Sequence, residues 1–173
     1  MIVERIGGKQ NMIKDLFLIR HAESGHPSGV NDFDRPLNDK GHIEAEKMSN
    51  KFIHYQLLPK FIISSPAKRA LSTAMIFAEA LHFSGQQIQP ENMIYEATLS
   101  SLLSIVNHLP DEQDRVALFG HNPGITEFAE YLSGEHIGNI HTAGIIHIQF
   151  STSWQFVSGG TGETKWKASP ELS

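Results

Sequence analysis

Cysteine is absent from all 173 residues, which excludes disulfides, thiol nucleophiles and thiolate metal sites and fits a reducing interior. An excess of basic charge is absent too. The formal net charge is −5 and charged residues make up 19% of the chain, so neither nucleic acid nor an acidic membrane is the default partner. No apolar run approaches the ~18 residues that a bilayer span needs. The opening segment MIVERIGGKQNMIKD lacks the apolar stretch of a signal peptide. Repeats, low-complexity tracts and linkers are missing as well. The chain therefore reads as one cytoplasmic domain, residues 13–173, with residues 1–12 as an N-terminal extension. Its 40% apolar content suits a single core at this length.

What is present is an alternation of strand-like and helix-like segments. DLFLIR, ending at Arg20, is a continuous apolar run, as in a strand covered on both faces. Leu37, Gly41, Ala45, Met48 and Phe52 then recur at helical spacing. KFIISS reads as a second buried strand, and SPAKRALSTAMIFAEAL as a helix with Ala70, Ala74, Ala78 and Leu81 on one face. QPENMIYE reads as a weaker third strand, and Leu99, Leu102, Leu103 and Val106 mark a short helix before Pro110. DRVALFGH is a fourth strand, followed by a helix that Gly134 ends. AGIIHIQF and WQFVSGG are predicted as a closing pair of strands, with a polar tail from about Gly162. This order predicts an α/β fold, a three-layer α/β/α sandwich around a mostly parallel sheet.

In open α/β sheets, ligands bind beyond the carboxyl ends of the strands. Here the first strand ends in Arg20–His21, the second in Ser64–Ser65–Pro66 with Lys68 and Arg69 next, and the fourth in Gly120–His121–Asn122. Ser65–Pro66 and Asn122–Pro123 both read as a helix cap followed by proline at the first helical position. Lys68 and Arg69 then stand in a first turn, where the helix dipole disfavours cations. An anion between the cations and the free N–H groups resolves that conflict. Paired arginines point to a tetrahedral phosphoryl group, whose oxygens they bind as planar forks. Singly, Arg20–His21 is an ordinary strand end, Arg69 a solvated helix residue and His121 a helix cap; the argument lies in their convergence. The other histidines (His26, His42, His54, His82, His108, His136, His141 and His147) read as surface or core. No metal site is expected, since H-E-x-x-H is missing and the strand ends are crowded with positive charge.

The motifs LIRHAES, RPLNDKGHIEA, SSPAKRALSTA and GHNP together resemble the histidine phosphatase superfamily, with its phosphoglycerate-mutase-like fold. The resemblance is nearest to its small single-domain bacterial phosphohistidine phosphatases. It runs from about Phe17 to Gly134, and more weakly to KWKASPEL. Ala22 stands where glycine is common, as it does in this small branch. The resemblance implies that His21 is the nucleophile, while Arg20, Arg69 and His121 hold the equatorial oxygens of the phosphoryl group. A neutral His21 would keep its proton by donating to a backbone carbonyl, and a bound anion would favour a protonated His121. Glu96 matches the place of the family's proton donor. Arg35, in DRPL, is expected on the pocket rim, where it would contact the phosphate or its carrier. No cofactor and no metal are implied.

Only about a dozen residues separate IYE from Pro110, too few for a domain that encloses a small ligand. An open site suits phosphohistidine on a signalling or phosphotransfer protein. The leaving imidazole is readily protonated, so demand for a strong acid is small. The expected function is thus metal-independent hydrolysis of protein phosphohistidine through a phosphohistidine intermediate. Alternatives are a phosphatase of small phosphate esters, a non-catalytic phosphate-recognising module and a metal-dependent hydrolase.

Overall fold

The computed structural model describes residues 12–171, so the extension expected over residues 1–12 lies almost wholly outside the described residues. The apolar run beside it forms β1 (Lys14–Arg20), with Leu16, Phe17, Leu18 and Ile19 fully buried. Both faces of β1 are covered, because helices pack on each side. The further strands are β2 (Phe61–Ser64), β3 (Ile88–Pro90), β4 (Arg115–Gly120), β5 (Ile145–Phe150) and β6 (Gly162–Ala168), in the sheet order β3-β2-β4-β1-β5-β6. The first four in that order are mutually parallel, and β5 runs antiparallel to both its neighbours.

Helices α1 (Asp39–Tyr55) and α2 (Lys68–Ala80) cover one face, where Met48, Phe52, Ala74 and Phe77 pack on Phe17, Ile19 and Phe119. Helices α3 (Leu99–Asn107) and α4 (Gly124–Ser133) cover the other, where Leu102, Val106, Phe128 and Leu132 pack on Leu16, Leu18 and Leu118. Each fully buried side chain of this size contributes about 1.5–3 kcal/mol. The result is the α/β/α sandwich that the alternation predicts.

Three readings of the strands need correction. WQFVSGG is not a strand: Trp154–Phe156 is a single 3-10 turn, with the Trp154 ring fully buried and its Nε1–H donated to the Gln113 carbonyl at 2.8 Å. The closing strand is β6, within the expected polar tail. It is an edge strand whose side chains alternate between half-buried and exposed, and Trp166 stacks on Tyr55 at 4.3 Å. Its charged residues occupy the open face, which is why it reads as a tail. The third strand stops at Pro90, and a 3-10 turn (Asn92–Ile94) carries Tyr95 and Glu96 beyond the strand end.

Neither helix cap forms as expected. Helix α2 starts after Ala67, because the Ser65 hydroxyl accepts from the Ala67 N–H at 3.2 Å and so closes a turn ahead of the helix. Helix α4 has Pro123 at its cap position, since the Asn122 carboxamide is spent on Thr126 Oγ1 (2.8 Å), Asn139 Oδ1 (2.7 Å) and the Ile140 carbonyl (3.0 Å). Helix α1 is capped by Asn38, whose side chain accepts from Gly41 N–H at 2.8 Å. Leu37, which shares the helical spacing, sits just outside and pairs with Ser24. Gly41 lies directly against the chain behind β1, where a Cβ atom would fall 1.9 Å from the Glu23 carbonyl oxygen.

Candidate active site

Arg20, His21, Arg69 and His121 converge on an open cleft of about 430 Å³ at the carboxyl ends of β1, β2 and β4, and Arg35 lines it as well. A parallel sheet makes this convergence unavoidable, because neighbouring strands in register end at the same level. Arg20 pairs with Gly120 across β1 and β4, and the His21 N–H bonds the Gly120 carbonyl at 3.0 Å.

The His21 ring is 9% exposed, and its Nδ1 lies 2.7 Å from the carbonyl oxygen of Ala22. A carbonyl only accepts, so Nδ1 carries the proton and Nε2 presents its lone pair to the cleft. Arg69 is buried and directs Nε–H toward His21 Nε2 at 3.4 Å. Arg20 is anchored by Nη1–H to the Ile140 carbonyl at 2.8 Å. The His121 ring lies 5.1 Å from the His21 ring, with Nε2 2.7 Å from Ser65 Oγ. Two buried nitrogens in this group, Arg20 Nε and His121 Nδ1, have no hydrogen-bond partner among the described residues. Unpaired buried polar atoms are rare in folded proteins, and a catalytic role or a bound ion is among the reasons for one.

Burial, with Arg69 and Arg20 beside it, pushes His21 down to about 4, against the opposing effect of the Ala22 carbonyl. Burial, with His21 and Arg69 beside it, pushes His121 down to about 3. Both rings are therefore neutral at pH 7. A protonated His121 requires an anion's charge to reverse that sum. The unfolded chain takes up these protons near pH 6.5, while the folded protein does so only near 4 and 3. The unfolded state thus binds more protons between those limits, and the pair's contribution to stability falls as pH falls through that window. Imidazole NMR signals of His21 and His121 are expected to stay neutral from about pH 8 to about pH 5. Titration of either ring near pH 6.5 would contradict the assignment.

Three residues on or beside the cleft were not singled out by the sequence. His26, read as a surface histidine, lines the cleft and contacts Arg35. Asp32 lines it too, bonded to Arg69 and Arg35. Tyr95 donates its hydroxyl to Asp32 at 2.9 Å and sets its ring edge-on to His121. Asp32 shares a loop with Arg35, and Tyr95 adjoins Glu96; those neighbours were the available signals. Glu96 itself does not join the lining. It is exposed in a turn with φ +53°. The Lys68 N–H, expected free at the start of α2, is taken by the Phe33 carbonyl at 2.9 Å.

Of the carboxylates on the lining, Glu23 is tied to Lys40 at 2.6 Å and Asn38 at 2.9 Å, and Lys40 chiefly holds it below its ordinary range. Asp32 is likewise held low, by the Tyr95 hydroxyl and then by Arg69. Among the described residues no group of three or more His, Asp or Glu could hold a metal ion, and no helix is long and apolar enough to cross a membrane. A larger groove of about 790 Å³ runs along Met75, Glu79 and Phe83, at the end of α2 remote from Arg69. It gathers no basic cluster.

The family model for the histidine phosphatase superfamily (branch 1) matches residues 16–103. An uncharacterised chloroplast protein of Arabidopsis thaliana is 31% identical over 163 residues, covering 88% of this chain and 74% of its own. The crystal structure of an Agrobacterium tumefaciens chain assigned as phosphohistidine phosphatase SixA superposes with a TM-score of 0.77 at 26% identity, covering 91% of this chain and 98% of that one. A mycobacterial glucosyl-3-phosphoglycerate phosphatase shares the fold, with a TM-score of 0.68 at 16% identity, covering 91% of this chain and 100% of that one.

Proposed function

Because the chain belongs to the histidine phosphatase superfamily, branch 1, we propose that it is a metal-independent phosphatase acting on phosphohistidine carried by a protein. His21 Nε2 attacks phosphorus, the bond from phosphorus to the leaving nitrogen breaks, and the substrate ring, protonated on its other nitrogen, leaves as neutral imidazole. The His21 ring gains positive charge as it is phosphorylated, and the Ala22 carbonyl on Nδ1–H stabilises that charge. Arg20, Arg69 and His121 hold the three equatorial oxygens, and Arg35 meets the phosphate from the rim. Water then attacks phosphorus, His21 leaves, and inorganic phosphate is released. The guanidinium groups supply the positive charge that a metal ion supplies in other phosphatases.

One observation favours phosphohistidine over an ester: among the described residues, no carboxyl group on the cleft is placed to give up a proton. Glu23 and Asp32 are both ionised and engaged, and Glu96 stands off the lining. An alkoxide is a strong base and leaves slowly without a proton donor, whereas imidazole leaves easily. The similarity to the assigned SixA phosphatase supports the same substrate class. The second reading, a phosphatase of small esters, draws on the shared fold of the glucosyl-3-phosphoglycerate phosphatase.

The test is kcat/KM for a phosphohistidine protein, an aryl phosphate and an alkyl phosphate, measured with EDTA present throughout. The first two should exceed the third by ~10²-fold or more, the usual worth of general acid catalysis. Glu96→Gln should change none of the three. Comparable values for the alkyl ester would favour the second reading, a selective loss on it in Glu96→Gln would restore that residue as the acid, and loss of activity with EDTA would overturn metal independence.

A further inference from the structure

We infer that Asp32 is a positioning residue for phosphoryl transfer, one that aims the Arg69 guanidinium at the nucleophile. The inference rests on the functional reading above and concerns the same cleft. A guanidinium is planar and carries five N–H donors, arranged along an end edge and a side edge. Arg69 gives its end edge to a single residue: Nη1–H donates to the Asp32 backbone carbonyl at 2.6 Å, and Nη2–H to the Asp32 carboxylate at 3.0 Å. Those two anchors, with the covalent attachment through Nε as a third point, fix the plane of the guanidinium and its direction. The side edge, with Nε–H and the second hydrogen of Nη2, is thereby turned toward His21, whose Nε2 stands 3.4 Å from Nε.

Asp32 is itself held from three sides. Tyr95 donates its hydroxyl to Oδ2 at 2.9 Å, and Arg35 donates Nε–H to Oδ1 at 3.0 Å. Next to it, Phe33 lies edge-on to the Tyr95 ring at 5.2 Å and accepts the Lys68 N–H at the start of α2. The loop is thus fastened to the helix that carries Arg69 and to the turn that carries Tyr95. A carboxylate at the mouth of a phosphate cleft repels the substrate, so its presence calls for a compensating role. Fixing a long, flexible side chain before reaction is such a role, because the ordering cost is met in folding rather than in the transition state.

The experiment is a double-mutant cycle on the full chain with two readouts, tungstate affinity by calorimetry and steady-state hydrolysis of an aryl phosphate. The proteins are wild type, Asp32→Ala, Arg69→Lys and the double variant. Asp32→Ala should weaken tungstate and lower kcat/KM by roughly 10- to 100-fold, mainly in kcat, since misaiming by up to about an ångström costs as much as ~10²-fold. In the Arg69→Lys background the same change should cost less than about 2-fold, because the fork it aims is already gone. Asp32→Asn should recover part of the loss, as its amide oxygen still accepts from Nη2. Equal losses in both backgrounds would overturn the inference in favour of direct substrate contact or loop support. Tighter tungstate binding in Asp32→Ala would overturn it in favour of a carboxylate that competes with the anion. If wild type binds tungstate but turns over no phosphate, the functional reading fails and the binding cycle alone decides Asp32. If wild type binds no tungstate, the anion site and the inference fall together.

Discussion

His21→Ala is expected to lose at least ~10³-fold in kcat, with no phosphoenzyme formed. The expectation follows from where the proton sits. With Nδ1–H donated to Ala22, the only lone pair of the ring is at Nε2, facing the cleft and kept neutral well below pH 7. The fold should survive, since the backbone bonds of residue 21 to Gly120 and Ala143 do not involve the ring. Labelled phosphate should be trapped on wild type under alkaline quench and released by mild acid, as a phosphoramidate requires. The variant should carry no label. Turnover by His21→Ala at the wild-type rate would sink the covalent mechanism.

Arg69→Ala should reduce kcat/KM by ~10²–10³-fold, the usual effect of removing one preorganised donor to transition-state charge, and Arg69→Lys by at least ~10-fold. The order of the two follows from geometry. Arg69 bonds His21, the Asp32 carbonyl and the Asp32 carboxylate at once through three different nitrogens. An ammonium keeps the charge but places it at one point, so it cannot serve the nucleophile side and the loop side together. Alanine also leaves Asp32 with Arg35 and Tyr95 as its remaining partners, so an anion meets a less compensated carboxylate. Vanadate or tungstate inhibition, read beside kcat/KM, should weaken in the same order. A lysine variant equal to wild type on a well-bound substrate would remove the fork from the mechanism.

Much of the cleft was legible because strand ends need no knowledge of loops. Arg20, His21, Arg69 and His121 each stand at or just past the end of an apolar run, and parallel strands in register bring such ends together. Asp32 and Tyr95 were not legible in the same way. Each lies in an irregular segment whose course is decided by long-range partners, Arg69 for one and Asp32 for the other. Glu96 shows how narrow the margin is. The residue before it reaches the site, while a left-handed backbone at residue 96 turns its own side chain out. The strand β6 went unrecognised for a different reason, since an edge strand whose only buried residue is Ala168 alternates charged and half-buried positions and reads as polar. Ser65 and Asn122 have the composition of helix caps, but Ser65 Oγ closes a turn ahead of α2 and pairs with His121, while the Asn122 carboxamide is drawn to Thr126 and Ile140. Cap propensity is a local preference that tertiary partners override.

Gly41 sets a dimension of the cleft without touching it. Most spacings in a protein are transmitted through side chains, whose rotamers give them slack. Between α1 and the chain that follows His21 there is no such slack, because main chain meets main chain and even a methyl group would arrive 1.9 Å from the Glu23 oxygen. Ordinary contact begins near 3.4 Å, so any side chain here overlaps the chain that follows His21 by more than an ångström, and helix or loop must shift to clear it. Displacements of that size cost ~10²-fold in well-aligned reactions. The helix therefore works as a gauge block, and the accuracy of the chemistry is machined into a part of the molecule that never meets the substrate.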